Sequence, residues 1–182
     1  VKVNTFEELK AKTLLAFGKR SIYCSVYCDR CLQTGTIDRI YIDFDGELYL
    51  AYQDMKKLTD YIPSTVYFTG KGGFAVYIQF DALQLKHPKR TIRTFVELLD
   101  KELGFETIDW HVIGDLKRVS RLPYTVNMKN NRLCIPIDRE WNLNYILKQS
   151  ETCTELLPVI FTPSQWARVI PVSYTHLTLP TT

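Results

Sequence analysis

A chain of 182 residues with 46% hydrophobic and 13% aromatic residues suits one globular domain with a real core, far from disordered composition. The net charge of +3 is mild, no apolar run approaches a membrane span, and residues 1–17 show no signal peptide, so an intracellular, cytoplasmic protein without membrane contact is expected. Five cysteines are an odd number and argue against a complete disulfide framework.

Thr5-Phe6-Glu7-Glu8 reads as a capping box opening a helix to about residue 17. Residues 21–27 alternate like a strand. Residues 38–45 and 47–51 predict a hairpin turning at Gly46, followed by a short helix over 55–61. Residues 65–69 and 74–80 predict a second β pair around Gly70-Lys71-Gly72-Gly73. Pro88 suits the first turn of a helix to about residue 103, with a core stripe of Ile92, Phe95, Val96, Leu99 and Leu103. Residues 108–136 read as loop-rich with short β pieces, and 141–148 as a last helix.

Three aspartates carry the most information. In Tyr41-Ile42-Asp43-Phe44-Asp45, side chains two apart project to one face of a strand. Ile40, Ile42 and Phe44 then enter the core while Asp43 and Asp45 share the other face. Two carboxylates so close raise one pKa unless a cation sits between them. Mg²⁺, usually held by one or two carboxylates plus substrate phosphates, is the economical answer.

Lys86, Lys89, Arg90 and Arg93 form one acid-free cluster, and Lys117, Arg118, Arg121, Lys129 and Arg132 form another. Nine of the 23 basic residues fall there, and the rest of the chain is net negative. Such islands suit a polyanionic ligand, although two solvated faces would look the same. Cys24, Cys28 and Cys31 have the spacing of a zinc knuckle whose fourth ligand would be Cys134 or His111. Reduced strand and loop cysteines have that spacing too.

Three segments bear reading together: Tyr41-Ile42-Asp43-Phe44-Asp45-Gly46-Glu47; Phe68-Thr69-Gly70-Lys71-Gly72-Gly73-Phe74; and the run from Ile108-Asp109-Trp110 to Arg121-Leu122-Pro123-Tyr124-Thr125-Val126-Asn127. Their order and spacing over roughly residues 20–140 resemble the catalytic subunit of the archaeo-eukaryotic primase superfamily, including plasmid and viral primase-polymerases. The resemblance implies an α+β catalytic core over residues 1–170, with an RRM-like mixed sheet and flanking helices. It implies template-directed nucleotidyl transfer from NTP or dNTP on single-stranded DNA with Mg²⁺ or Mn²⁺, within DNA replication. Asp43, Asp45 and Asp109 would hold two metals. Asp115 is the rival for the third place, but the family's Ile-Asp pair selects Asp109 and leaves Asp115 to orient Arg118 or Arg121.

The same resemblance gives the incoming nucleotide to Thr69, Gly70, Lys71, Gly72, Arg118, Arg121 and Asn127. Glycine lets backbone N–H groups approach phosphate, as it also serves an ordinary hairpin turn. Lys86, Lys89, Arg90 and Arg93 are the expected template track. Tyr23, Tyr77 and Tyr124 are candidates for stacking on bases or sugar, or for sheet packing. Ala75 departs from the family, which carries a phosphate-contacting histidine there; an engineered change, a degenerate enzyme and a natural variant relying on Lys71 all fit. A catalytically impaired nucleic-acid-binding module of a replication complex is therefore the alternative. Residues 171–182 lack periodicity and look non-native, so a missing C-terminal domain is expected; the resemblance adds a primase accessory subunit or a helicase as expected partners.

Overall fold

The Thr5 hydroxyl accepts the Glu8 N–H at 3.2 Å and opens helix α1 (Phe6–Ala16), as the capping box predicts. The structure, a computed structural model, describes residues 5–27, 29–151 and 177–178, and side chains for most of them. Strand β1 (Tyr23–Ser25), helix α2 (Asp29–Thr34) and strand β2 (Thr36–Asp45) follow. Apart from residues 177–178, the expectation about 171–182 lies outside the described residues.

The hairpin expected at Gly46 does not form. Residues 47–51 open helix α3 (Leu48–Tyr61), whose second half is the helix expected at 55–61. The reason is local: the Glu47 carboxylate accepts the N–H groups of Tyr49 at 3.1 Å and Leu50 at 2.9 Å, capping the helix. Ala51, Met55 and Leu58 then fall on one buried helical stripe. Strand β2 pairs instead with β4 (Gly73–Gln84), which also pairs with β3 (Thr65–Phe68). Helix α4 (Pro88–Leu103) has the predicted bounds, with Ile92, Val96 and Leu99 buried. Strands β5 (Val119–Arg121), β6 (Val126–Asn127), β7 (Arg132–Leu133) and β8 (Ile135–Ile137) lead to helix α5 (Leu143–Gln149), and β9 (Leu177–Thr178) pairs with β1.

The main sheet has the order β2-β4-β3-β8, with smaller sheets β5-β1-β9 and β6-β7. The architecture is α+β as expected, but every described strand pair is antiparallel, where a mixed sheet was expected. One face of the main sheet carries Ile40, Ile42, Phe44, Phe68, Phe74 and Val76, all in one core with Met55, Leu58, Ile92 and Val96. Each such side chain contributes about 1.5–3 kcal/mol by leaving water.

The opposite face is covered too. Tyr41 is buried there and donates its hydroxyl to Ser120 Oγ of β5 at 3.5 Å, and Tyr27 Oη accepts the Tyr41 N–H at 3.4 Å. Asp43 and Asp45 share that face as predicted, yet Asp43 is 9% exposed while Asp45 lies open. No helix among the described residues is long and apolar enough to cross a membrane.

Candidate functional site

Asp109 is brought to β2 by its backbone. An antiparallel bridge pairs Phe44 with Ile108; the Asp109 N–H donates to Asp43 O at 2.8 Å, and the Asp45 N–H donates to Thr107 O at 2.9 Å. This register sets residue 109 opposite residue 43. The side chains part company, because Asp109 Oδ1 accepts the His111 N–H at 3.1 Å within its own loop. Asp43 Oδ2 instead meets the Arg118 guanidinium at 2.8 Å. Burial pushes the Asp43 carboxyl above its ordinary pKa; Arg118 opposes the shift and the Asp45 charge adds to it.

Hard carboxylate oxygens on one strand face suit Mg²⁺ or Mn²⁺ in donor type, so Asp43 and Asp45 fit a cation that is completed by phosphate oxygens. Among the described residues no three His, Cys, Asp or Glu side chains gather as a metal group. Asp109 keeps Oδ2 for a cation while Oδ1 holds the His111 N–H.

The 69–73 turn lies at the same end of β2. Thr69 donates both its N–H and its hydroxyl to Gly73 O at 3.0 Å. Gly70 has φ +75, and a Cβ there would stand 2.8 Å from Arg132 O, so the position needs glycine. A Cβ on Gly72 would stand 3.2 Å from Gly46 O, which places the turn against the residue after Asp45. Buried Asn127 donates Nδ2–H to Thr69 O at 3.2 Å and accepts the Lys129 N–H at 3.1 Å. Its amide thus holds the turn in shape. Lys71 is exposed at the tip.

Arg118 faces the main sheet beside Asp43, while Arg121 lies on the other face of β5 with Tyr23. Arg121 donates to Tyr23 Oη at 3.0 Å, with its guanidinium 4.8 Å from that ring's centre. Arg118 Nε, Arg121 Nε and Arg121 Nη1 are buried without a hydrogen-bond partner among the described residues. Unpaired guanidinium donors suit phosphate oxygens. Asp115 does not orient either arginine by its side chain: its Oδ1 accepts the Lys117 N–H at 3.0 Å, and Arg118 pairs with Asp43. Arg132 leaves the basic island as well, donating to Leu147 O at 2.6 Å and Ser150 Oγ at 3.1 Å.

Ala75 is 1% exposed and stands opposite Asp43 on one side and Tyr67 on the other. Tyr77 packs edge-on to Tyr41 and Tyr67, at 5.2 and 5.6 Å between ring centres, as a sheet-packing residue. Tyr124 takes a left-handed backbone, φ 61, with its N–H on Cys134 O at 2.6 Å.

Lys86, Lys89, Arg90 and Arg93 line one open groove of about 540 Å³ at the start of α4, with His87 and Pro88. Arg93 donates to Glu97 Oε1 at 3.1 Å and lies 5.8 Å from the centre of the Trp110 ring, next to Asp109. Sequence reasoning missed Asp54, a buried carboxylate that anchors the segment leading to Asp109. The signal was a charged residue on the Ala51–Met55–Leu58 stripe. Of the cysteines, Cys28, Cys153 and the side chain of Cys31 lie outside the described residues. Burial pushes the Cys24 and Cys134 thiols up to about 12, and Cys134 Sγ reaches Arg121 O at 3.9 Å.

No family model matches the chain, and no curated protein matches it. Among solved structures it is similar to the polymerase domain from Mycobacterium tuberculosis ligase D in complex with DNA, at 12% identity and a TM-score of 0.47. The likeness covers 72% of this chain and 54% of that chain, so this protein spans about half its neighbour's length. A likeness this weak leaves the functional reading to the residues themselves.

Proposed function

We propose that the chain is a primase-polymerase-type nucleotidyltransferase that extends or initiates a strand on single-stranded DNA from NTP or dNTP. The supporting observation is that three segments meet at one end of β2. The Asp109 backbone lies beside Asp43, the 69–73 turn lies against Gly46, and Asn127 grips Thr69. Carboxylates for a cation and the Arg118 guanidinium for an anion then stand together, as transfer of a nucleotide from a triphosphate requires.

In this reading Asp43, Asp45 and Asp109 would hold Mg²⁺ or Mn²⁺, which when bound supplies charge neutralisation at the polyphosphate and at the attacking oxygen. Arg121 and Arg118 donate to phosphate oxygens, and exposed Lys71 adds a point charge at the turn. Asn127 keeps the turn closed on Thr69, which fixes where its backbone can meet phosphate. Lys86, Lys89, Arg90 and Arg93 supply a basic groove for the template backbone.

Ala75 favours a second reading, a nucleic-acid-binding module of impaired catalysis. It offers no polar group beside Asp43, whose carboxylate is already paired with Arg118. Primer extension on a single-stranded template with Mn²⁺ separates the two. Incorporation that Asp45→Ala abolishes supports the enzyme; template binding with no incorporation supports the module.

A further inference from the structure

We propose that Arg118 is an exchangeable counter-ion: it and a divalent cation are alternative partners of Asp43, and the cation's arrival releases the guanidinium to the polyphosphate. The inference rests on the functional reading above and adds a coupling between its two ligands.

The geometry supplies both ends of the exchange. Arg118 Nη2 lies 2.8 Å from Oδ2 of the largely buried Asp43 carboxylate. A guanidinium and a divalent cation on one buried carboxylate repel each other strongly, because little water screens them. One must yield. The Arg118 backbone is pinned, its N–H on Asp115 O at 3.0 Å and its carbonyl accepting the Val26 N–H at 2.9 Å, so only the side chain can travel. That side chain is 31% exposed, against 13% for Asp43, and its Nε is without a hydrogen-bond partner among the described residues. Strand alternation puts Arg118 on the face of Ser120, which meets Tyr41 of the main sheet, while Arg121 turns to Tyr23 on the other face. A released Arg118 guanidinium therefore carries its own donors to an anion beside Asp43. By linkage, whatever favours the cation on Asp43 favours the anion on Arg118 to the same degree.

The test uses two titrations of the full chain by calorimetry, with circular dichroism as the check on folding. In the first, Mn²⁺ alone is added to wild type and Arg118→Gln; removing the competitor is expected to tighten binding by about tenfold or more, the size of effect a neighbouring opposite charge has on a carboxylate. Arg118→Lys keeps a cation beside Asp43 and serves if Arg118→Gln does not fold; it should tighten Mn²⁺ binding by a smaller factor. Unchanged or weakened affinity in the folded variant overturns the exchange. In the second, inorganic tripolyphosphate is added in EDTA. Asp43→Asn frees Arg118 and is expected to bind more tightly than wild type, and Asp43→Asn/Arg118→Gln is expected to lose that gain. A gain that persists in the double variant means that the Asp43 charge acts on the anion directly, which also overturns the proposal. If Asp45→Asn leaves Mn²⁺ binding unchanged and no protein binds tripolyphosphate, the functional reading itself fails.

Discussion

The Asp54 carboxylate accepts the Thr107 N–H at 2.8 Å, tying helix α3 to the segment that ends in Asp109. The same oxygen takes the Glu106 N–H at 2.7 Å and the Thr107 hydroxyl at 2.8 Å, and Lys57 Nζ meets the other oxygen at 3.0 Å. Lys57 also reaches Gly104 O at 2.8 Å, closing the link to the end of α4. Removing the carboxylate leaves several donors without partners, and a hydrogen bond to a charged group is worth about 1.5–3 kcal/mol. Asp54→Ala is therefore expected to lower the unfolding free energy in urea by about 3 kcal/mol or more. A change under about 0.5 kcal/mol would mean that the Asp109 segment is held elsewhere.

The pH dependence follows from the same group. Burial alone would raise the Asp54 pKa, but its hydrogen bonds to Glu106, Thr107 and Lys57 outweigh burial and hold it below the ordinary value. A depressed folded pKa contributes stability that is present above the unfolded value, about 3.9, and is lost as pH falls through the folded one. Asp43 has the opposite sign: its raised pKa contributes stability below the unfolded value that is lost as pH rises through the folded one. Denaturation curves from pH 7 to pH 3 should therefore change in opposite senses, with acid sensitivity reduced in Asp54→Asn and increased in Asp43→Asn. Equal changes in both variants would contradict this assignment.

At the turn, Gly70→Ala should cost about 1–3 kcal/mol, because φ +75 strains an L residue and the new Cβ would press on Arg132 O. Gly72, without a positive φ and with a Cβ 3.2 Å from Gly46 O, should tolerate alanine better. Thermal melts of the two variants compare them directly. Equal melting points would mean that the turn does not hold Gly70 in its left-handed conformation.

The elements most legible in the sequence were those whose local signals agree with the fold. Helix α4 has Pro88 at its start, a clean apolar stripe and Gly104 after its last residue, and its bounds were readable without the structure. The β3–β4 pair announced itself by alternation around a glycine turn. Residues 47–51 were misread because Leu48, Leu50 and Tyr52 alternate with other residues like a strand, while the cap that decides for helix is a single glutamate side chain. The approach of residue 109 to β2 fitted the motif order, but where the carboxylates point did not show. Asp109 turns to a neighbouring N–H and Asp43 to an arginine 75 residues away, and neither contact has a sequence period.

Arg121 has two nitrogens without a hydrogen-bond partner among the described residues and a third on Tyr23 Oη. Arg121→Ala should weaken tripolyphosphate binding by about 1.5–3 kcal/mol, the value of charge-assisted hydrogen bonds. Arg121→Lys should recover little, since an ammonium cannot reproduce the planar fork or its stacking on Tyr23. Calorimetric titration of both variants reads this out. Full recovery by lysine would reduce Arg121 to a diffuse charge.

Ala75 sits in strand register between Asp43 and Tyr67, with 1% of its surface exposed. Substituting histidine there introduces a ring into a position already enclosed by β2 and β3. Overpacking of this kind costs about 1–3 kcal/mol. The new imidazole would also compete with Arg118 for the Asp43 carboxylate, loosening a contact that now stands at 2.8 Å. Ala75→His is accordingly expected to melt at lower temperature without gaining nucleotide incorporation per folded molecule. A faster enzyme with an unchanged melting point would show that the space beside Asp43 accepts the ring, and that alanine there weakens the site.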